Sequence, residues 1–101
     1  MSSTILIADD DPVQRRLLET IVHRFGYQVE TVDGGEAALA RLSSPGLPEI
    51  DLLILDLVMP DLDGMGVLGK LRELQSTLPV IVQTAHGSIE AVISAMRAGA
   101  I

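Results

Sequence analysis

Short aliphatic runs alternate along the chain with longer segments of helical periodicity. The runs predict four strands, at residues 4–8, 27–32, 51–56 and 79–84. The first of them, Thr-Ile-Leu-Ile-Ala, lacks polar alternation, which is typical of a strand buried on both faces of a parallel sheet. Strands that alternate with helices predict a parallel α/β sheet with right-handed crossovers and helices on both faces.

Apolar residues at helical spacing predict a helix after each strand. The first helix has Pro12 in its first turn, and Gly26 ends it. Its apolar positions are Val13, Leu17, Leu18, Ile21, Val22 and Phe25. Three further helices are predicted after residues 34–35, after the loop at residues 58–64, and over residues 88–99.

Length and composition indicate one domain. A chain of 101 residues that is 48% hydrophobic has room for a single core. Cysteine and tryptophan are absent and aromatic residues make up 2%, so the core is aliphatic. The lack of cysteine excludes disulfide, zinc-thiolate and cysteine-nucleophile chemistry. It also fits a reducing cytosol, and we expect a cytoplasmic protein.

The charge of the chain is acidic, with a formal net value of −7. Such a charge repels a phosphate backbone, so we expect no direct binding to nucleic acid, and cations are the natural ligands. Charged residues interrupt the apolar runs, and no basic region precedes an apolar one at the amino terminus. We therefore expect neither a membrane span nor a signal peptide.

Polar residues end three of the predicted strands, at the edge where an open parallel sheet binds its ligands. The first strand ends at Asp9 and Asp10, the third at Asp56 and the fourth at Thr84. If the first and third strands are neighbours, three carboxylates converge, and their repulsion is costly unless a proton or a hard cation compensates. Oxygen ligands favour Mg²⁺ or Mn²⁺. Each aspartate alone fits a solvated strand end equally well, but the combination favours a site.

Four sequence motifs carry a resemblance to a known family. They are I-L-I-A-D-D-D-P, L-L-I-L-D-L-V-M-P-D-L-D-G, P-V-I-V-Q-T-A-H-G and A-M-R-A-G-A, in this order along the chain. Together they resemble the receiver domain of two-component response regulators, particularly receivers of nitrogen-regulation-type transcriptional regulators. The resemblance implies a flavodoxin-like, doubly wound sheet with strand order 2-1-3-4.

The resemblance also implies the roles of the acidic residues. Asp56 would be the phosphoacceptor, which receives a phosphoryl group from a histidine kinase or a phosphotransfer protein. Asp10 would bind Mg²⁺ directly and Asp9 mostly through water, while the backbone carbonyl of Val58 would supply another ligand. A carboxylate nucleophile beside a divalent cation is suited to phosphoryl transfer.

Residues after the fourth strand would respond to the phosphoryl group. By resemblance, Thr84 is the switch hydroxyl that bonds to the phosphoryl oxygens, with the Ala85 backbone N–H beside it. His86 and Val58 stand two residues after Thr84 and Asp56, at positions that tune the lifetime of the phosphoryl group in the family. An ordinary exposed loop residue is an equal alternative for His86.

Two other features of the sequence have competing interpretations. Asp11 either solvates its loop, which we favour, or adds field strength to the metal site. The sequence G-M-G-V-L-G-K at residues 64–70 matches a dinucleotide fingerprint and most of a P-loop. We reject both matches, because no strand immediately precedes these glycines and Leu71 follows Lys70. The glycines are then expected to mark a loosely packed helix start, with Gly64 providing a turn conformation.

One element of the family is missing from the sequence. The fifth strand, which ends in Lys-Pro, and the fifth helix would follow Ile101, and no lysine occurs after Lys70. We therefore expect residues 1–101 to be a receiver domain truncated before the fifth strand, with an effector domain beyond it. An unpaired fourth-strand edge would favour self-association.

The function implied is that of a signalling phosphoacceptor in a phosphorelay. Such a protein assists its own phosphoryl transfer and hydrolysis and is not an enzyme acting on other substrates. The alternative is a single-domain phosphate shuttle, or a degenerate receiver that serves as a protein-interaction module.

Overall fold

The computed structural model describes residues 3–44, 48–59, 61–74 and 76–83. Strands and helices alternate through this part of the chain. The elements are β1 (Thr4–Ala8), α1 (Pro12–Arg24), β2 (Gln28–Val32), α2 (Gly35–Leu42), β3 (Leu52–Asp56), α3 (Gly64–Glu73) and β4 (Val80–Gln83). The fourth predicted helix lies outside the described residues.

The four strands form one parallel sheet in the order β2-β1-β3-β4. This order confirms the flavodoxin-like, doubly wound fold predicted from the sequence. The central strands, β1 and β3, pair directly, with Ala8 opposite Leu55. Because both strands run in the same direction, the residues that follow Ala8 and Leu55 come together at one edge of the sheet.

The main core lies between one face of the sheet and helices α2 and α3. Leu6, Leu53 and Leu55 are fully buried there, together with Ala38 of α2 and Val67 of α3. The core is aliphatic, as the composition predicts. Its twelve buried members make the central strands a firm support for the residues at their ends.

Helix α1 begins and ends where the sequence predicts, and only part of its apolar face is covered by the described residues. It contacts β1 and β2. Leu18 and Val22 are partly buried. Four apolar side chains remain exposed along one row, by 76%, 53%, 40% and 74%: Val13, Leu17, Ile21 and Phe25. These residues are spaced four apart, so one stripe of the helix faces away from the described residues.

No helix within the described residues has the length and hydropathy needed to cross a bilayer.

Candidate functional site

Three carboxylates meet at the carboxyl ends of the two central strands. Asp9 and Asp10 follow β1 directly, and Asp56 is the last residue of β3. Each offers an oxygen that lies within 4.8 Å of an oxygen of the other two. The pairing of β1 with β3 produces this cluster, because it aligns the ends of two strands whose bodies are aliphatic.

Asp9 is buried in this cluster and held by backbone contacts. Its side chain is almost fully enclosed, and its Oδ1 accepts the N–H of Asp11 at 2.9 Å. Its own N–H donates to the Val32 carbonyl at 3.2 Å, and its carbonyl accepts a guanidinium N–H of Arg15 at 2.9 Å. Asp9 is therefore fixed in position, whereas Asp10 beside it is exposed.

Asp56 is partly buried, and its protonation is sensitive to its neighbours. Burial raises the pKa of Asp56 to about 6, the N–H of Val58 opposes this rise, and the charges of Asp9 and Asp10 add to it. That N–H donates to Asp56 Oδ1 at 3.1 Å. A proton is therefore one way to compensate the three negative charges, and a cation is the other.

The donor set fits a hard divalent cation. All three side chains supply carboxylate oxygens, and their spacing allows one ion to contact each of them. Mg²⁺ and Mn²⁺ prefer oxygen ligands and are held in proteins by a few carboxylates together with water. The exposure of Asp10 leaves the site accessible from solvent.

Asp11 has a structural role that differs from both interpretations of the sequence. Its Oδ1 accepts the N–H of Val13 at 2.9 Å and the more distant N–H of Gln14, so Asp11 is the N-cap of α1. An aspartate directly before a helix-starting proline is a common sequence signal for this role.

Gly64 and Gly66 pack closely at the start of α3, which corrects the expectation of a loosely packed helix start. A Cβ on Gly64 would lie 2.5 Å from the Asp56 carbonyl oxygen and 2.7 Å from Leu57 Cα. A Cβ on Gly66 would overlap the side chain of Leu62. Among the described glycines, only Gly26 has a positive φ, so Gly64 is required for space and not for its backbone conformation.

The predicted switch residues Thr84, Ala85 and His86 lie outside the described residues. The neighbouring Gln83 is the last residue of β4, and it pairs with Asp56 in the sheet register. The end of β4 therefore lies beside the end of β3, next to the carboxylate cluster.

The fold and the site together define a class: doubly wound α/β domains with a carboxylate site at the carboxyl ends of the central strands. A family model described as the response regulator receiver domain matches residues 5–101. The chain belongs to this family, whose members are signalling modules.

Comparison with individual proteins agrees with this assignment. The chain is 41% identical over 96 residues to the probable transcriptional regulator ycf27 of Cyanophora paradoxa. The aligned segment covers 95% of this chain and 38% of that protein. It is 37% identical over 95 residues to the transcriptional regulatory protein GlrR of Escherichia coli (strain K12). That alignment covers 94% of this chain and 21% of GlrR. GlrR is of the nitrogen-regulation type, so that expected likeness is confirmed.

A solved structure shows the same fold. The receiver domain of the Francisella response regulator 1452 superposes with a TM-score of 0.88 at 28% identity, over 98% of this chain and 79% of that one. Both curated relatives are much longer than the segment they share with this chain, which spans about a fifth to two fifths of their length.

Proposed function

We propose that Asp56 is the phosphoacceptor of this receiver domain and that a histidine kinase or a phosphotransfer protein is the donor. The observation that carries the proposal is the position of Asp56 at the end of a central strand, within 4.8 Å of the Asp9 and Asp10 carboxylates. No other group of three or more metal-ligating side chains occurs in the part of the chain that the structure describes.

The reaction needs a deprotonated Asp56 with a free oxygen. One carboxylate oxygen attacks the phosphorus atom, the bond from phosphorus to the donor imidazole nitrogen breaks, and that nitrogen retains the electron pair. The N–H of Val58 holds Oδ1 of Asp56 and leaves the other oxygen for attack. Because Asp9 is buried, its carboxylate is held in a fixed position beside Asp56.

Asp9, Asp10, Asp56 and the backbone carbonyl of Val58 would hold Mg²⁺, with Mn²⁺ as a substitute. The bound ion would neutralise the carboxylates and the charge that develops on the phosphoryl oxygens. In this proposal Asp10 contacts the ion directly and Asp9 mostly through water. The greater exposure of Asp10 and the backbone bond that occupies Asp9 Oδ1 support this division.

The output of the domain is proposed to pass through Thr84. Its hydroxyl would bond to the phosphoryl oxygens with the Ala85 N–H beside it, and Val58 and His86 would tune the lifetime of the phosphoryl group. The pairing of Gln83 with Asp56 supports this arrangement, because it brings the end of β4 to the site. The side chain of Val58 is 52% exposed at the rim of the site, as a tuning position requires.

The target of the switch is proposed to be an effector domain that regulates transcription in the cytoplasm. The likeness to GlrR, a transcriptional regulatory protein much longer than this chain, supports this. The domain assists its own phosphoryl transfer and hydrolysis. The degenerate interaction module is the weaker alternative, because all three carboxylates of the site are retained. A single-domain phosphate shuttle would use the same site.

The test is incubation of the chain with Mg²⁺ and acetyl phosphate, followed by intact-mass measurement. We expect one added phosphoryl group in the wild-type chain and in Glu49→Ala, a control that removes an exposed carboxylate before the amino end of β3, at the opposite edge of the sheet from the site. We expect none in Asp56→Ala. A phosphoryl group that persists in Asp56→Ala would place the acceptor at another residue.

A further inference from the structure

Helix α2 begins without a cap from its own segment. Its N-cap residue is Gly34, which has no side chain to accept hydrogen bonds from the first N–H groups of the helix. The N–H of Gly35 donates to Asp61 Oδ1 at 3.2 Å, and the N–H of Glu36 donates to Asp61 Oδ2 at 3.1 Å. The cap of α2 therefore comes from the loop between β3 and α3, more than 20 positions further along the chain.

The amino end of α2 is shaped to receive this loop. A Cβ on Gly34 would lie 2.7 Å from Asp61 Oδ1, and a Cβ on Gly35 would overlap the carbonyl oxygen of Leu62. Gly34 has an extended backbone with φ −167°, which any residue can adopt. A Cβ on Gly34 would displace the Asp61 carboxylate and a Cβ on Gly35 would collide with the loop backbone, so the absence of side chains at these two positions, and not backbone conformation, makes room for the loop.

The same loop carries the backbone of the proposed site. Its two ends are fixed, because the N–H of Gly64 donates to the Leu57 carbonyl at 3.1 Å and Asp63 caps α3 through the N–H of Gly66 at 2.9 Å. Within the loop, Val58 lies between Leu57 and Asp61, and its N–H orients Asp56. The contact of Asp61 with α2 ties the outer part of the loop to a second helix.

We propose that Asp61 is a positioning residue for the phosphoacceptor loop. By bridging the loop to the amino end of α2, its carboxylate holds the Val58 backbone where the N–H can orient Asp56 and the carbonyl can bind the cation. This inference rests on the function proposed above and extends it to a residue outside the carboxylate cluster.

The charge of Asp61 suits this role. Hydrogen bonds from the backbone N–H groups of Leu62, Glu36 and Gly35 hold the pKa of Asp61 below its ordinary value. The side chain is therefore a carboxylate with two accepting oxygens, which is the form that a helix amino end favours.

The test compares Asp61→Ala with Asp61→Asn and with Glu49→Ala, a control at the opposite edge of the sheet, in the full chain. Calorimetric titration with Mg²⁺ gives the affinity, and amide hydrogen exchange reports on Gly35, Glu36 and Val58. We expect Asp61→Ala to bind Mg²⁺ about three- to tenfold more weakly and to exchange these amides faster. Asp61→Asn keeps an accepting oxygen and should retain most of the affinity, and Glu49→Ala should match the wild type.

A second variant reaches the same contact from the other side. Gly34→Ala places a methyl group where the Asp61 carboxylate lies and leaves every charge unchanged. We expect it to weaken Mg²⁺ binding by a similar factor. The double variant Gly34→Ala/Asp61→Ala should be no weaker than either single variant, because all of them remove one contact.

Two results would overturn the positioning role. Equal losses of affinity in Asp61→Ala and Asp61→Asn would show that only the charge of Asp61 matters. An unchanged affinity and unchanged Val58 exchange in folded Asp61→Ala would show that the loop holds its position without the contact. A wild-type chain that neither binds Mg²⁺ nor accepts a phosphoryl group would instead refute the proposed function.

Discussion

Asp9 and Asp10 are adjacent in the sequence but have different surroundings. Asp9 is 3% exposed and accepts a backbone N–H, whereas Asp10 is open to solvent. A strand end produces this difference, because consecutive side chains leave it in opposite directions. At the scale of single residues, the site therefore contains one fixed and one accessible carboxylate beside Asp56.

We expect the two residues to differ in their effect on Mg²⁺ binding. Loss of an outer-shell partner typically weakens metal binding by about 10- to 100-fold, so Asp9→Asn should weaken binding by no more than this and Asp10→Asn, which alters a direct ligand, should weaken it further. Both variants make the same change of charge and nearly preserve the side-chain shape. Equal losses in calorimetric titration would contradict the assignment of direct and water-mediated contacts.

The raised pKa of Asp56 predicts a pH dependence of stability in the Mg²⁺-free protein. The folded chain binds this proton more tightly than the unfolded chain does, since the pKa rises from 3.8 to about 6. The contribution of Asp56 to stability is therefore present below pH 4 and is lost as the pH rises through 6.

Replacing Asp56 by asparagine should remove this dependence. At pH 7.5 in a chelator, Asp56→Asn should raise the free energy of unfolding by roughly 1 kcal/mol, a value that allows for solvent screening of a partly exposed group. The difference from the wild type should shrink towards pH 4. Urea denaturation followed by circular dichroism measures both, with Asp33→Asn as the control. A difference that grows towards pH 4 would contradict the sign.

At the scale of the elements, the amino ends of α1, α2 and α3 are capped by aspartates from the loops that follow β1 and β3. Asp11 caps α1 directly after the acidic pair, Asp63 caps α3, and Asp61 caps α2 from a distant loop. Three acidic residues near the carboxylate cluster therefore stabilise helix amino ends, where the helix dipole favours negative charge. They bond to N–H groups at the amino ends of helices, whereas the backbone N–H groups that bond to Asp9 and Asp56 belong to Asp11 and Val58, which lie outside the helices.

The cap at Asp11 gives a test of its role. Asp11→Ala should lower the free energy of unfolding by about 1 kcal/mol, as the loss of an N-cap typically does, and Asp11→Ser should retain most of it. Mg²⁺ affinity should change little in either variant. A loss of Mg²⁺ affinity without a loss of stability would instead support the interpretation that Asp11 adds field strength to the metal site.

Two glycines of α3 offer a matched comparison. Gly69 is exposed, and a Cβ there would meet nothing within 4 Å, so Gly69→Ala should stabilise the helix by about 0.5–1 kcal/mol. Gly64→Ala should destabilise the protein, because its Cβ would collide with the backbone at Asp56 and Leu57. Denaturation curves of the two variants should shift in opposite directions, and a shift of both in the same direction would contradict this packing.

The sequence predicts the elements and the carboxylate cluster because their signals are local. An aliphatic run followed by Asp9 and Asp10, or by Asp56, shows where a strand ends and what it presents. The partner of Gly34 could not be predicted in this way, since Asp61 is 27 positions away and the contact depends on how two loops meet. Likewise, helical spacing identified α1 but not the fact that Val13 and Phe25 stay exposed, because spacing shows a stripe without showing what covers it.

At the scale of the whole molecule, β4 is an edge strand of the sheet in the part of the chain that the structure describes. Among the described residues, β4 pairs only with β3, and Ile81 on it is 44% exposed. An edge of this kind is a template for pairing with another chain. We therefore propose that copies of residues 1–101 associate through β4 where no further strand pairs with it.

A charged residue on this edge should oppose association. Ile81→Lys should weaken self-association in sedimentation experiments at high concentration, by about tenfold or more, because edge lysines block strand pairing. Val13→Lys, on the exposed row of α1, should have little effect. A loss in Val13→Lys that exceeds the loss in Ile81→Lys would place the interface on α1, and a monomeric wild-type chain would exclude association of residues 1–101.

The bridge between Asp61 and α2 also bears on how such sequences can diverge. A methyl group at position 34 and a carboxylate at position 61 would occupy the same space, so a side chain cannot be gained at 34 while the acid at 61 keeps its contact with α2. A sequence that loses the acid at 61 has room for a side chain at 34. A sequence that gains a side chain at 34 loses the contact that the acid makes with α2. Positions 34 and 61 should therefore covary in evolution, although they lie on opposite sides of the β3 strand in the sequence.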